Sequence, residues 1–549
     1  MLAWCLTTHA ALAAPPKTPT LDFDEAQDHY VLAPLTPRAK PIDPDSWRFF
    51  FSGLLNARAQ FQSSFVMPPT LTAKSASPGL LGNSIDQNAM VLPWLRLTPQ
   101  FEWGRTLRIV GQLDVAQGKV VSNATRDVGA DPQPRDNLGD AWTWLMPRWL
   151  YGELLTKIGL FRVGMQPNHW GMGILANDGD HAQLFGMPRL GQISERVLFA
   201  TKPLGEDGPL TTAIAGDLVF RDNFAQLTRG DIAWQGVLAT YLESGPHRLG
   251  FFGVYRNQRT ARESIGVSYT DDLKVFVFDL AAHTMAPVPG RRDAFWFAEA
   301  EGALQLGTSS ALRTGALPGE RASVSAYGGA VRAGLVLGAA RTQTPKTKEA
   351  TPRATHYGRV VTQLEWGYAS GDADPNDGVQ KRFTFDPNHR VGLLLFDEVL
   401  RWSSARAAVI AADPLLANGQ RPQPGLSFLP TGGGVAGAQY LNPTVIVRPE
   451  PHLDVRAGVV IAQATADVVS QVRTLTTGRY ENDWGGDPKR RDLGVEVDLG
   501  VHKRIVTSTG IEVRLGAEGG VLFPGGALQG PLIGVKTLWM GVLQAGLTF

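Results

Sequence analysis

Apolar and polar residues alternate along much of this chain. Between residues 492 and 504, Leu493, Val495, Val497, Leu499 and Val501 share one face, and Glu496, Asp498 and His502 share the other. Residues 511 to 518 repeat the pattern with Ile511, Val513, Leu515 and Ala517 against Glu512, Arg514 and Glu518. Residues 453 to 461 set Leu453, Val455, Val459 and Ile461 against Asp454 and Arg456, and residues 95 to 103 set Leu95, Leu97, Phe101 and Trp103 against Arg96, Thr98, Gln100 and Glu102. A period of two is that of a strand, whose successive side chains point to opposite faces. In a barrel that crosses a membrane, one face meets lipid and the other the lumen. A soluble sheet alternates too, with its polar face outward, so connection lengths have to separate the two.

The pattern predicts strands running one way near residues 47–62, 106–117, 159–167, 210–220, 247–258, 294–306, 355–369, 452–464 and 510–521. It predicts returning strands near 93–103, 146–156, 195–203, 231–242, 272–284, 322–341, 438–448, 492–504 and 537–549. Short connections then fall at one end: Gly104-Arg105, Lys157-Ile158, Gly205 to Gly208, Ser244 to Pro246, Pro289-Gly290, Pro449 to Pro451 and Ser508-Thr509. Most long ones fall at the other, at 63–92, 118–145, 168–194, 259–271, 370–437, 465–491 and 522–536. Short periplasmic turns and long external loops mark bacterial barrels. The expected fold is therefore all-β, a transmembrane antiparallel β-barrel of about 18 strands, with 16 to 20 allowed. Side chains alone do not fill a barrel of that size, so the lumen is expected to be water-filled unless a segment plugs it.

Composition agrees. With 61 Gly, 37 Pro and 19% charged residues in 549, the chain is unlike a helical membrane protein or a Lys/Glu-rich cytosolic one. No apolar run reaches the roughly 18 residues of a spanning helix, and a formal charge of +1 gives no electrostatic case for nucleic acid. Residues 1–14 read as the remnant of a signal peptide with Ala11-Leu12-Ala13 at the cleavage site, and 15–45 as a Pro-rich periplasmic arm ahead of a barrel spanning 46–549. Cys5, the only cysteine, lies in the signal; Leu2-Ala3-Trp4-Cys5 reads poorly as a lipoprotein site because Trp4 is bulky.

The last strand sets Trp539, Gly541, Leu543, Ala545, Leu547 and Phe549 against Gln544, Gly546 and Thr548. This resembles the C-terminal signal of outer-membrane barrels, which implies insertion machinery as a partner through Phe549, outer-membrane lipid around the barrel and a Gram-negative outer membrane as its place. The segment GYASGDADPNDGVQKRFTFDPNHRVG, Gly367 to Gly392, resembles the alginate-export family of porins. A shorter match is LFRVGMQPNHWGMGIL, residues 160–175, where Met165 stands at the position of a family lumen Arg. HWGMGILANDGD also resembles a group of myxobacterial outer-membrane barrels without an assigned role. These resemblances imply a porin-like exporter or solute channel.

Asp372, Asp374, Asn376 and Asp377 place oxygens at spacings that Ca²⁺ can use, although Gly378 and Phe383 stand where a helical calcium loop needs other residues, and a solvated external turn is the plainer reading. His169 and His181 flank Asn177-Asp178-Gly179-Asp180 as transition-metal ligands or as loop histidines. Glu299 and Glu301 point the same way from one strand, as wall charges or as a carboxylate pair that lacks the rest of a glycosidase site. No hydrolase elbow, phosphate loop or dinucleotide fingerprint stands out, so no catalytic residue is assigned.

The polar strand faces predict a lumen lined by both signs: Arg58, Arg96, Arg108, Arg256, Arg359, Arg448, Arg456 and Arg514 beside Glu102, Asp114, Glu299, Glu301, Glu365, Asp454, Asp498 and Glu512. Mixed rows suit polyhydroxylated or zwitterionic solutes rather than a selected ion. The expected function is passive passage of polar solutes or export of a polysaccharide, with a barrel enzyme or a structural barrel as competitors. Residues 393–396, four apolar residues in a row, lead to the expectation that Val391 to Trp402 enters or caps the lumen, its base anchored by the acidic turn at 372–377. The alternative is two further strands hidden in 370–437.

Overall fold

The structure, a computed structural model, describes residues 46–66, 84–85, 89–104, 106–118, 121–122, 143–181, 183–187, 191–205, 208–264, 267–291, 293–310, 321–338, 358–374, 377–412, 430–450, 452–470, 473–474, 478–507 and 511–549. The expected signal remnant, the arm and Asn376 lie outside them. Strands join in one 20-stranded sheet, of which Val121–Ser122 and Val379–Gln380 are two-residue pieces. The other 18 form the wall. They are β1 (Trp47–Gln62), β2 (Ala89–Trp103), β3 (Leu107–Gln117), β4 (Thr143–Thr156), β5 (Gly159–Pro167), β6 (Ile193–Thr201), β7 (Leu210–Arg221), β8 (Asp231–Ser244) and β9 (His247–Ser264). They continue as β10 (Val267–Pro287), β11 (Ala294–Ser309), β12 (Ala322–Leu337), β13 (Val360–Ala369), β14 (Ala438–Val447), β15 (Leu453–Ala464), β16 (Asp492–Val506), β17 (Glu512–Pro524) and β18 (Leu538–Thr548).

Each wall strand pairs antiparallel with its sequence neighbours, and β1 closes the ring: Leu55 faces Leu95 of β2 on one side and Leu547 of β18 on the other. A closed sheet leaves no edge with unpaired backbone groups, which is what lets strands cross a hydrocarbon layer. The expected strands are all present, and the described residues of 370–437 add no further wall strand.

The exterior is apolar. Leu145, Leu150, Val163, Val197, Ile214, Leu238, Phe276, Leu280, Leu499 and Leu543 stand exposed on it, a surface that water would penalise and lipid would not. Aromatic residues collect at its two margins. Trp47, Trp103 and Trp296 lie near the short-turn end, and Trp144, Trp234, Tyr327, Trp366 and Trp539 near the long-loop end. Such girdles sit at the two membrane interfaces.

Three details depart from the sequence pattern. Residues 259–271 are no long loop: β9 and β10 run on as a hairpin whose register reaches Ser264 opposite Val267. Leu493 does not share the outer face of Val495 and Val497; it is buried inside. A register shift between Ala462 and Gln463, with Gly494 at φ +128°, inserts the extra residue that turns Leu493 inward. Finally, β12 ends at Leu337 and β13 begins at Val360, which makes one long connection on the short-turn side.

Candidate functional site

Many charges on the inner face meet an opposite charge on the same or a neighbouring strand. Arg96 donates to Asp114 on the next strand at 2.7 Å, and Arg108 lies 3.3 Å from Glu102. Arg332 stands between Glu299 (3.1 Å) and Glu365 (2.6 Å). Arg448 and Arg456 share Asp454 at 2.8 and 3.3 Å, Arg514 holds Glu512 at 2.6 Å, and Arg58 lies 3.8 Å from Glu518. Arg256 bonds Asp222 in the connection after β7. Arg359 lies just ahead of β13, exposed at the rim. Glu301 and Asp498 are buried on the inner face.

Two long connections turn into the barrel. The described residues of 168–192 cross it: Trp170 stacks on Tyr241 and Phe252 (centroids 4.6 and 5.1 Å) and donates to Asp279 at 3.1 Å. Further along, the Leu184 carbonyl accepts from Arg456 at 2.9 Å, the Gly186 N–H donates to Glu518 at 3.0 Å, and Asp180 pairs with Arg96. These wall residues lie on opposite sides of the ring, so the segment spans it. The second segment lies within 370–437. Phe383, Phe385, Val391, Leu393 to Phe396, Val399 and Trp402 form a buried cluster with Ala326, Ala330, Tyr440, Val460, Met540 and Val542 of the wall. Burying each large apolar side chain contributes about 1.5–3 kcal/mol, which a loop in water would forgo. Missing side chains on the wall make room: a Cβ at Gly250 would stand 2.8 Å from the Trp170 ring, and one at Gly328 2.5 Å from that of Phe383.

Within that cluster the chain coils, as a π-helix over Leu395–Leu400 that passes into an α-helix, Arg401–Ala412. Its first N–H groups have no partners inside the helix and point at the wall. The Glu496 carboxylate accepts them, from Leu393 and Leu394 through one oxygen (2.5 and 2.7 Å) and from Leu395 through the other (2.7 Å). Gln60 of β1 reaches Glu398 in the same turn at 3.1 Å. Val391 to Trp402 thus occupies the lumen.

Asp386 joins three connections. It accepts from Gln192 (2.8 Å), from Asn223 (3.1 Å) and from the Asn388 N–H (2.8 Å), while its own N–H donates to the Ile174 carbonyl (2.7 Å). Burial pushes its carboxyl up to about 6 against those hydrogen bonds. Next to it, His389 has an acceptor at each ring nitrogen: the Met172 carbonyl at Nδ1 (3.1 Å) and Glu365 at Nε2 (3.0 Å). Only the imidazolium donates from both. Burial works against that charge, but the Glu365 carboxylate outweighs it and holds the His389 pKa above its usual value. Tyr440 donates to the same carboxylate at 2.5 Å.

Toward the short-turn end the inner face is wetter: Gln100, Arg108, Glu299, Arg332, Gln363, His502 and Arg514 all keep partial exposure. The lumen is thus a half-open vestibule under a midsection largely taken up by the chain's own loops.

Other residues singled out in the sequence fall as follows. Glu301 accepts the Ile174 N–H at 3.3 Å and Glu299 takes Arg332, so each is a wall charge with a partner. Asp372 accepts the N–H groups of Asp374 and Lys381 (3.2 Å each), Asp377 accepts that of Val379 (2.9 Å) and pairs with Lys381 (2.5 Å), and Asp374 accepts from Tyr480 (3.2 Å). These carboxylates hold a turn at the base of the inward segment. Met165 lies opposite Leu150, which faces outward, so its position is no lumen one in this chain; Arg162 supplies the inner charge of β5. Sequence reading had not singled out Arg332, Asp386, His389 or Tyr440. For Asp386 and His389 the signal was the run FDPNHR at the end of the quoted segment 367–392, whose Asp and His have no apolar periodicity around them; Arg332 and Tyr440 carry none beyond their place on a strand.

A closed antiparallel barrel with an apolar, aromatic-rimmed exterior and charged inner strands is a membrane-spanning β-barrel, here one narrowed by its own loops. No family model matches the chain, and no curated protein does. Among solved structures, it is similar to OccAB1 of Acinetobacter baumannii (10% identity, TM-score 0.46, 91% of this chain and 97% of that one). It is also similar to OprD of Pseudomonas aeruginosa (11%, 0.45, 91% and 95%) and to OpdK of the same organism, crystallised with vanillate (10%, 0.45, 91% and 99%).

Proposed function

We propose that the chain is an outer-membrane channel for passive passage of small polar solutes, selecting by the shape of a loop-narrowed midsection. The observation that carries this reading is the pair of inward segments whose backbones are held by wall charges, Glu301, Glu496, Glu518 and Arg456. A barrel built only as a scaffold has no use for two loops fixed across its lumen. Paired charges in the vestibule favour solutes that are neutral or carry both signs. Export of a polysaccharide, which the resemblance of residues 367–392 implies, fits less well, because a polymer needs a continuous groove where Trp170, Phe385 and Phe396 are packed. The closed barrel with its apolar, aromatic-rimmed exterior supports an outer-membrane location.

Reconstitution into liposomes tests the reading. Swelling should be rapid in small sugars and zwitterionic amino acids and should fall off steeply with solute size. Folded protein that gives no swelling with any solute, or that hydrolyses lipid or peptide instead, overturns it.

A further inference from the structure

The loop that crosses the lumen carries a cluster that passage of solutes does not use. After β5 the chain doubles back: the Trp170 N–H donates to the Ala176 carbonyl (3.0 Å), Asn177 Nδ2 to the Gly173 carbonyl (3.2 Å), and the Gln192 N–H to the Asn177 carbonyl (2.8 Å). This fold brings Asp178 under His169, nine positions earlier, and places His181 beside both. We propose that His169, Asp178 and His181 bind one divalent transition cation of the zinc type.

Two imidazoles and a carboxylate are ligands that such an ion takes, in a tetrahedral set completed by water. Their ligand atoms lie within 4.8 Å of one another. Two ligands on one tetrahedral zinc are about 3.4 Å apart, so the cluster needs only a small contraction. At present His181 Nδ1 lies 2.9 Å from Asp178 Oδ1 and His169 Nδ1 3.8 Å from it. The second distance is too long for a hydrogen bond. His169 Nδ1 is, among the described residues of this loop, the one buried side-chain nitrogen or oxygen that has no hydrogen-bond partner, an unusual state for a buried polar atom. An ion between it and the carboxylate would satisfy it.

Two guanidiniums stand near, Arg96 and Arg148, and two carboxylates answer them: Asp114 lies 2.7 Å from Arg96 and 3.7 Å from Arg148, and Asp180 pairs with Arg96 and lies 3.8 Å from Arg148. Arg221 also faces Asp114, and the Asp178 carboxylate stands beside Arg148. The position of Asp178 is fixed, since its backbone carbonyl accepts from Arg148 at 3.0 Å and its Oδ1 holds the Asp180 N–H at 2.9 Å. The two imidazoles now stack with centroids 3.8 Å apart. Coordination requires one ring to swing out of that stack, and His181 can do so because its side chain is 55% exposed. Two ligands are thus preset and the third closes over the ion from the solvent side. Loading would clamp the loop to itself where it crosses the lumen.

Calorimetric titration of the full-length, untagged barrel in detergent with ZnCl₂ tests the site, against His181→Ala and Asp178→Asn. The wild type should bind one ion more than His181→Ala, or bind it at least tenfold more tightly, and Cu²⁺ loaded into the wild type should show two-nitrogen hyperfine coupling that falls to one in His181→Ala. His181 is exposed, so its removal leaves the fold intact, which heat-modifiable gel mobility verifies even where Asp178→Asn does not fold. Equal stoichiometry and affinity in wild type and His181→Ala would mean that Asp178 holds only a protonated imidazole, and would overturn the proposal.

Discussion

Phe549 and Gly53 close the barrel. The two residues exchange both backbone hydrogen bonds, at 2.9 and 3.0 Å, and the Phe549 ring lies where a side chain on residue 53 would otherwise be, with Cε1 2.9 Å from the position of a Cβ. Gly53→Val should therefore push the ring off its seat and destabilise closure by about 1–3 kcal/mol, the usual cost of overpacking. The readout is the temperature at which the folded, fast-migrating gel band is lost. An unchanged temperature would mean that the terminal aromatic contributes nothing to closure.

Glu496 holds the start of the inward helix through three N–H groups. Glu496→Gln keeps the shape but removes the charge and half the acceptors, so the anchorage should weaken by about 1–3 kcal/mol. Hydrogen exchange at residues 393–400 should speed up roughly 5- to 150-fold, which is that energy at 298 K, while wall strands far from it, such as β7 and β8, keep their protection.

Removal of the segment itself has a larger effect. Deleting residues 380–430 takes out Phe383, Phe385 and the helix while β13 and β14 stay paired. Single-channel conductance should rise with barrel mobility retained. If conductance stays the same in an intact barrel, the segment does not set the size of the passage.

The same anchorage should loosen as pH rises. His389 is held above its usual pKa by Glu365, so the folded form binds its proton more tightly than the unfolded one; the stability this contributes is present below about 6.5 and is lost as pH rises through the folded value. Asp386, raised to about 6, acts in the same direction lower down: its folded form holds a proton that the unfolded form has released above 3.8, so its contribution fades between 3.8 and about 6. Glu301 and Arg332 also face His389 and should modulate the midpoint. Conductance fluctuations should be more frequent at pH 9 than at pH 5, and His389→Gln should flatten the upper part of that profile.

Cross-strand pairing on the wall predicts weak ion selectivity. Planar-bilayer reversal potentials should give permeability ratios near unity, and Arg332→Glu, which leaves Glu299 and Glu365 facing a third carboxylate, should turn the channel toward cations. Strong selectivity in the wild type would show that the paired charges do not cancel along the path.

The wall was legible in the sequence because one physical rule, alternation between lipid and lumen, is imposed on every strand and fixes its parity. It failed at Leu493, where a bulge adds a residue without any compositional mark, and at residues 259–271, where polar residues beyond the membrane margin still pair as a hairpin. The inward segments were legible only in part. Residues 393–396 betrayed burial by being apolar, but Trp170, Phe383 and Phe385 sit in irregular backbone whose side chains follow no period. Glu496 was recognised as an inner-face residue; its role as acceptor for a distant helix depends on a closure across about 100 residues that no local pattern records.

Several wall side chains hold the crossing loops by their backbones: Glu301 takes an amide from Ile174, Glu518 one from Gly186, Glu496 three from Leu393 to Leu395, and Arg456 a carbonyl from Leu184. Every residue but proline offers the same amide, so this grip is blind to loop identity. Substitutions on the loop faces that line the path can change what is admitted without releasing the loop, which makes the barrel a reusable frame on which selectivity can drift while its mounting stays constant.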